Sequence, residues 1–156
     1  ENKDWEKKQQ ALDLASKKLT ELSYQMQKTL GHNLNEKASE IIECITGGKY
    51  QRLFINENLQ MELLTEEKRV PINRVSRGTI EQVYFSLRMA AADVLHIEEM
   101  PIILDDTFVF YDEKRLEYML KWLAKRKRQV LIFTCQKREK EVLDKCGIAY
   151  HNIEWK

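Results

Sequence analysis

Cysteine, proline and glycine are all scarce in this chain, at three, two and five of 156 residues. Cys44, Cys135 and Cys146 are odd in number and far apart. That excludes a disulfide framework and a paired set of metal ligands, and it suits a reducing, cytoplasmic setting. So little glycine and proline excludes a linker or low-complexity chain. Long apolar runs are missing as well. The longest spans a handful of residues, where a bilayer crossing needs roughly 20, so no membrane span is expected. Neither sign of charge is in excess: 26 Lys and Arg face 25 Asp and Glu, a formal net charge of +1. An overall polycation is thereby excluded, and any nucleic-acid contact is left to a local patch. His32, His96 and His151 have no ligand spacing. The pattern G-x-x-x-x-G-K-[ST] does not occur, and Gly47-Gly48-Lys49 is too short to stand in for it. The chain therefore brings no loop of its own to cradle a β-phosphate and no lysine to neutralise one. It begins at Glu1 with no basic-then-apolar leader, and the expectation is a fragment or a processed chain.

What is present is 43% hydrophobic and 33% charged, the balance of a globular domain that carries long exposed helices. Trp5, Leu12, Ala15, Leu19, Leu22, Met26 and Leu30 fall mostly at spacings of three and four, a seam of the coiled-coil kind. Gly31-His32-Asn33 predicts an interruption, with Asn33 capping a second helix and Glu36 as its reciprocal partner. Leu34, Ala38, Ile41, Ile42 and Ile45 line one side of that helix. A helical hairpin and the end of a coiled-coil arm both fit this stretch. Thr46-Gly47-Gly48 stops the helices. A hairpin follows, 50–55 and 59–64 around Asn56-Glu57-Asn58, with Leu59, Met61 and Leu63 on its buried face.

After a break at Ser76-Arg77-Gly78, the residues Ile80, Val83, Tyr84, Leu87, Ala90, Ala91, Val94 and Leu95 recur at helical spacing. Residues 101–104 and 130–133 are short and continuously apolar, the pattern of parallel strands buried on both faces. Leu116, Met119, Leu120 and Leu123 mark a crossover helix between them. A helix to about Cys146 and a last strand from Ile148 to Trp155 complete the series. The predicted class is α/β: a largely parallel sheet with crossover helices, preceded by coiled-coil-like helices and a β-hairpin.

Ligands of open parallel sheets sit outside the carboxyl ends of the strands. Asp105 and Asp106 close the first such strand, and Thr134, Cys135 and Gln136 follow the second. Adjacent side chains at a strand end point to different sides, so one carboxylate can hold a hard cation while the other faces an attacking water. The plainer alternative is that one of them caps the next helix. A thiol such as Cys135, at the end of a buried strand, is expected only to pack. Ser76, Arg77, Gly78 and Thr79 precede a helix, where free N–H groups and the dipole favour an anion. Gly78 would let a phosphate approach the backbone. Lys121, Lys125, Arg126, Lys127 and Arg128 form a basic cluster. A solvated face at a helix C-terminus is preferred there over a DNA contact.

The order of these pieces is more specific than any one of them. Ser-x-Gly opens a helix, an apolar strand ends Asp105-Asp106, Asp112 follows, and a second apolar strand leads to Gln136. This resembles the C-terminal half of an ABC-type ATPase head of the SMC, SbcC, RecN and RecF class. The wording Ser-Arg-Gly-Thr-x-Glu-Gln at 76–82 and Thr-Gly-Gly-x-Tyr at 46–50 resembles in particular bacterial YhaN-like AAA-family ATP-binding proteins. The likeness covers about 46–156. It implies a P-loop NTPase lobe over 47–156, with 1–46 as the end of a coiled-coil arm.

Carried over residue by residue, it implies that Ser76, Arg77, Gly78 and Thr79 form the signature loop, which reaches the γ-phosphate of ATP held by an opposite head. Gln82 continues that helix and also serves the nucleotide. Residues 101–104 become the Walker B strand, Asp105 the Mg²⁺ ligand, and Asp106 the carboxylate that orients or deprotonates the attacking water. Asp112 becomes the D-loop aspartate, and Gln136 takes the switch position. Asp106 stands where many relatives carry Glu, and Gln136 where many carry His. A shorter carboxylate and a side chain that cannot titrate imply slow turnover.

The implied cofactors are ATP and Mg²⁺. The implied partners are an N-terminal Walker A half of the same protein, a second identical head, and DNA. The implied process is DNA repair or chromosome maintenance in the cytoplasm, with this piece inactive on its own. Two other readings compete: a metal-dependent nuclease or phosphatase using Asp105, Asp106 and Asp112 directly, and a non-enzymatic coiled-coil interaction module.

Overall fold

The apolar spacing at the start of the chain folds as one unbroken helix. In the computed structural model, which describes residues 2–56, 58–95 and 100–154, α1 runs Asn2–Ile45. The interruption expected at Gly31-His32-Asn33 is absent. A mid-helix glycine costs only about 1 kcal/mol relative to alanine, less than breaking the helical ladder around it. Glu36 does not turn back to Asn33; it pairs with Arg52 beyond the helix. Ala38, Ile41, Ile42 and Ile45 are buried, as their spacing predicts, whereas Leu12, Leu19, Leu22, Met26 and Leu30 lie exposed along the first part. The helix stops where Gly48 N–H bonds to the Glu43 carbonyl at 2.8 Å. Gly47 takes φ +63°, and the Tyr118 ring lies where a Cβ would stand.

Strands β1 (Arg52–Ile55) and β2 (Met61–Leu64) pair antiparallel, with Leu53 opposite Leu63. A third strand, β3 (Arg69–Pro71), adds to β2 with Val70 opposite Leu63. Its three residues are too short to show an alternating pattern, so nothing in the sequence marks it. Leu63 is buried, but Leu59 sits in the turn at φ +58° and is exposed rather than on the buried face.

Helix α2 (Arg77–Leu95) packs along the C-terminal part of α1. Its buried face carries Thr79, Gln82, Val83, Phe85, Ser86 and Ala90, while Tyr84 and Leu95, expected in the apolar stripe, are exposed. Ser86 Oγ donates to the Val83 carbonyl at 2.8 Å, and Phe85 meets Trp122 edge to face.

Strand β4 (Ile102–Asp105), helix α3 (Glu113–Ala124) and strand β5 (Val130–Phe133) form one βαβ unit, with Ile102 opposite Val130 and Asp105 opposite Phe133. Helix α4 (Arg138–Lys145) follows. The fold is thus mixed α/β, but the sheets are small: a parallel pair and a separate antiparallel set of three among the described residues. One largely parallel sheet is therefore not seen among the described residues. Residues 148–154 make no strand, and Trp155 and His96 lie outside the described residues. The parallel pair is also not buried on both faces. Ile102 and Leu104 face the core, while Ile103, Leu131 and Phe133 are exposed, with Ile103 at 65%. No helix among the described residues is long and apolar enough to cross a membrane.

Candidate functional site

Ser76 sits just before α2, outside the helix, and is exposed; Thr79, one turn in, is 1% exposed. Their hydroxyl oxygens lie 3.0 Å apart, and the Thr79 N–H reaches Ser76 Oγ at 3.4 Å, the arrangement of an N-cap. The guanidinium of Arg115, from α3, closes over both: Nη2 donates to Ser76 Oγ at 3.1 Å and to Thr79 Oγ1 at 3.3 Å. Gly78 gives it room. A Cβ there would stand 2.6 Å from Arg115 Nη1 and 2.6 Å from the Phe110 carbonyl oxygen. A side chain at this position is therefore excluded by contacts within the chain, and Gly78 is buried. Arg77 points away, its guanidinium 3.8 Å above the exposed Phe110 ring.

Gln82, expected to face a nucleotide, is buried, and its amide donates to the Ile45 carbonyl at the end of α1, at 2.8 Å. A buried amide needs a partner, and the orphan carbonyls of a helix end provide one.

At the carboxyl edge of β4, Asp105 and Asp106 are both exposed. Asp106 has φ +43°, the left-handed region that costs a non-glycine residue about 1–2 kcal/mol. It is held there by its N–H, which donates to the Phe133 carbonyl at 2.9 Å. Such strain gathers at functional sites. Neither carboxylate caps a helix. Asp112 does: its Oδ1 accepts from the Arg115 N–H at 2.8 Å, and its Oδ2 lies 3.4 Å from Arg115 Nη1. Beyond β5, the Gln136 N–H donates to Thr134 Oγ1 at 3.0 Å. Cys135 is exposed rather than buried at the strand end, because the chain has already left the sheet.

The structure brings these residues into two groups joined by one loop. Asp105, Asp106 and Gln136 share the carboxyl edge of the parallel pair; Ser76, Gly78, Thr79 and Asp112 meet around Arg115. The loop 106–112 runs between them. Arg138, at the start of α4, holds it, donating to the Tyr111 carbonyl at 2.6 Å and to the Phe108 carbonyl. Tyr111 is buried, and its hydroxyl has no hydrogen-bond partner among the described residues. Burial, with the Glu81 carboxylate nearby, pushes its phenol well above the ordinary range.

Arg115 and Arg138 were not singled out from sequence, yet a signal exists. Both stand in the first turn of a helix, where the dipole disfavours a cation. The basic cluster is partly neutralised within the chain. Arg126 and Arg128 bind the Asp93 carboxylate at 2.9 and 3.0 Å, and Lys121 binds Glu117 at 2.6 Å. Hydrogen bonding to Lys121 also lowers the Glu117 pKa. Among the described residues, Asp105, Asp106 and Asp112 do not form a three-ligand metal cluster.

No protein-family model matches the chain. Over 123 residues it is 31% identical to the uncharacterized protein YhaN of Bacillus subtilis (strain 168), a stretch covering 75% of this chain and 13% of that protein. The chain thus spans about an eighth of that relative's length. Three solved structures share its fold. One comes from work on the ATP-driven dimerisation and DNA-stimulated activation of SMC ATPases, with a TM-score of 0.63, 13% identity and 76% of each chain covered. The Smc head domain with a coiled coil and joint from Pyrococcus yayanosii gives a TM-score of 0.62 at 13% identity, over 84% of this chain and 27% of that one. The Smc head domain from Pyrococcus furiosus, bound to the C-terminal domain of ScpA, gives 0.54 at 12%, over 71% and 30%. The fold is that of SMC head-domain pieces.

Proposed function

We propose that this chain is the C-terminal lobe of an ATP-binding and ATP-hydrolysing head, residues 47–156, joined to the end of a coiled-coil arm at 1–46. The observation that carries the reading is the loop 106–112. It leaves the carboxyl edge of β4 at a strained aspartate and ends against the hydroxyl-bearing start of α2. A head closing on nucleotide needs such a link between the edge where hydrolysis occurs and the loop that contacts a second head.

The residues present fit this role. Asp105 is an exposed carboxylate with no ion-pair partner among the described residues, suited to hold Mg²⁺ through oxygen. Bound there, the metal ion would neutralise charge on the β- and γ-phosphate oxygens of ATP. Asp106 orients the attacking water and takes its proton. Gln136 hydrogen-bonds near the γ-phosphate without supplying charge. Ser76 donates to the γ-phosphate of ATP held by the opposite head, beside Arg77, Gly78 and Thr79. Asp112 lies at the head–head contact. Gln82 acts from behind, tying α2 to the arm. The β-phosphate cradle comes from a separate Walker A half of the same protein, and a second head completes each site. DNA is the partner proposed for the closed form, and chromosome repair or maintenance in the cytoplasm is the process.

The test joins this chain to a polypeptide carrying the Walker A half. Mg²⁺-dependent ATP hydrolysis is expected from the joined form and not from this chain alone, and Asp106→Asn should trap an ATP-bound dimer. Cleavage of a phosphoester by this chain alone would instead establish the metal-dependent hydrolase. An inert joined form would leave the interaction module.

A further inference from the structure

We propose that Arg115 is a positioning residue that fixes Ser76 as a hydrogen-bond donor to an anionic oxygen. The assignment rests on the head reading above, but its argument is one of proton accounting. Thr79 is 1% exposed, and the only acceptor its hydroxyl meets among the described residues is Ser76 Oγ at 3.0 Å. Thr79 Oγ1 already accepts from Arg115 Nη2 at 3.3 Å, so the proton it has left to place is assigned to Ser76 Oγ, the acceptor in reach. Arg115 Nη2, which cannot accept, donates to the same Ser76 oxygen at 3.1 Å. These two donors take the lone pairs of Ser76 Oγ, with the Thr79 N–H a more distant third at 3.4 Å, and the residue is exposed. With that assignment, the proton of Ser76 has no acceptor among the described residues and is free to meet one from solvent. A side chain set in this way rejects a donor and accepts a phosphate oxygen.

Arg115 is itself held for the task. Asp112 caps its backbone N–H at 2.8 Å and lies 3.4 Å from its guanidinium. The missing side chain at Gly78 admits the guanidinium's Nη1, which a Cβ would meet at 2.6 Å. The position runs against the dipole of α3, so the cation is placed there by its contacts with α2 and Asp112 and not by its own helix. Arg115 touches the signature loop from behind, and it acts through Ser76.

The experiment is a double-mutant cycle in the ATPase reconstituted with its Walker A half. Arg115→Met should lower kcat by about tenfold or more while the KM for ATP changes less than about threefold, because ATP is held by the opposite head. In a Ser76→Ala background, Arg115→Met should add less than about twofold, since its target is gone. Arg115→Lys, which keeps the charge and one donor, should recover part of the loss. Thermal unfolding of each variant separates these effects from misfolding. If Arg115→Met does not fold, Arg115→Gln, with a neutral donor, carries the same cycle. Losses that add in the Ser76→Ala background, or a loss confined to KM, overturn the assignment and leave the ATPase reading intact. A wild-type assembly without ATPase activity overturns that reading, and this assignment with it.

Discussion

Asp106 and Gly78 show how single residues are placed by their surroundings. Asp106 is held in the left-handed region by one backbone hydrogen bond across to β5, and its carboxylate leaves the strand line toward solvent. The pair Asp105-Asp106 was legible as a strand end, but the strain was not, because φ depends on a hydrogen bond to Phe133 across the parallel pair. Gly78 was legible as a helix start, but its close neighbours were not. Its lack of a side chain makes room for the Phe110 carbonyl and Arg115. Gly78→Ala should therefore destabilise the chain by about 1–3 kcal/mol, as overpacking against a backbone carbonyl does. Urea unfolding checks this. An unchanged midpoint would show that the loop 106–112 yields without cost.

At the scale of elements, the contact that matters most is between α1 and α2. The helical spacing of each was readable, and so were the buried residues Ala38, Ile41, Ile42 and Ile45. Part of the buried side of α2 was not, because Thr79, Gln82 and Ser86 are polar and a hydrophobic pattern skips them. Gln82 fastens the two helices by its bond to the Ile45 carbonyl. Gln82→Met keeps the volume and removes the donor, leaving a buried carbonyl unpaired at a cost of about 1–3 kcal/mol. The expected result is a lower urea midpoint with α-helical circular dichroism retained below it. Wild-type stability would mean that the Ile45 carbonyl finds another donor. The expected break at Gly31 failed at this scale for the opposite reason. A local signal worth about 1 kcal/mol lost to a helical ladder running on both sides of it.

For the whole molecule, the parallel pair is unfinished. Parallel sheets are covered on both faces, yet Ile103, Leu131 and Phe133 are exposed on one face of β4 and β5. Under the head reading, the Walker A half covers that face and extends the sheet. The double variant Ile103→Gln, Phe133→Gln should leave this chain folded, because neither side chain belongs to its core. It should also reduce self-association in sedimentation and weaken pairing with the Walker A half by about tenfold or more, a loss on the scale of two buried apolar side chains. Pairing at wild-type strength would place the covering element elsewhere.

The order of elements from α2 to α4, the helix start at Ser76, the strand ends at Asp105 and Phe133 and the crossover between them were determined by the amino-acid sequence alone. Each of them is a local matter of apolar period and end signals. Only the tertiary structure decided which polar groups meet: Arg115 with Ser76, Arg138 with the carbonyls of Phe108 and Tyr111, Gln82 with Ile45. These partners are 27 to 39 positions apart. No local pattern encodes such pairs, since they exist only once the packed helices bring one element's unsatisfied groups within reach of another's.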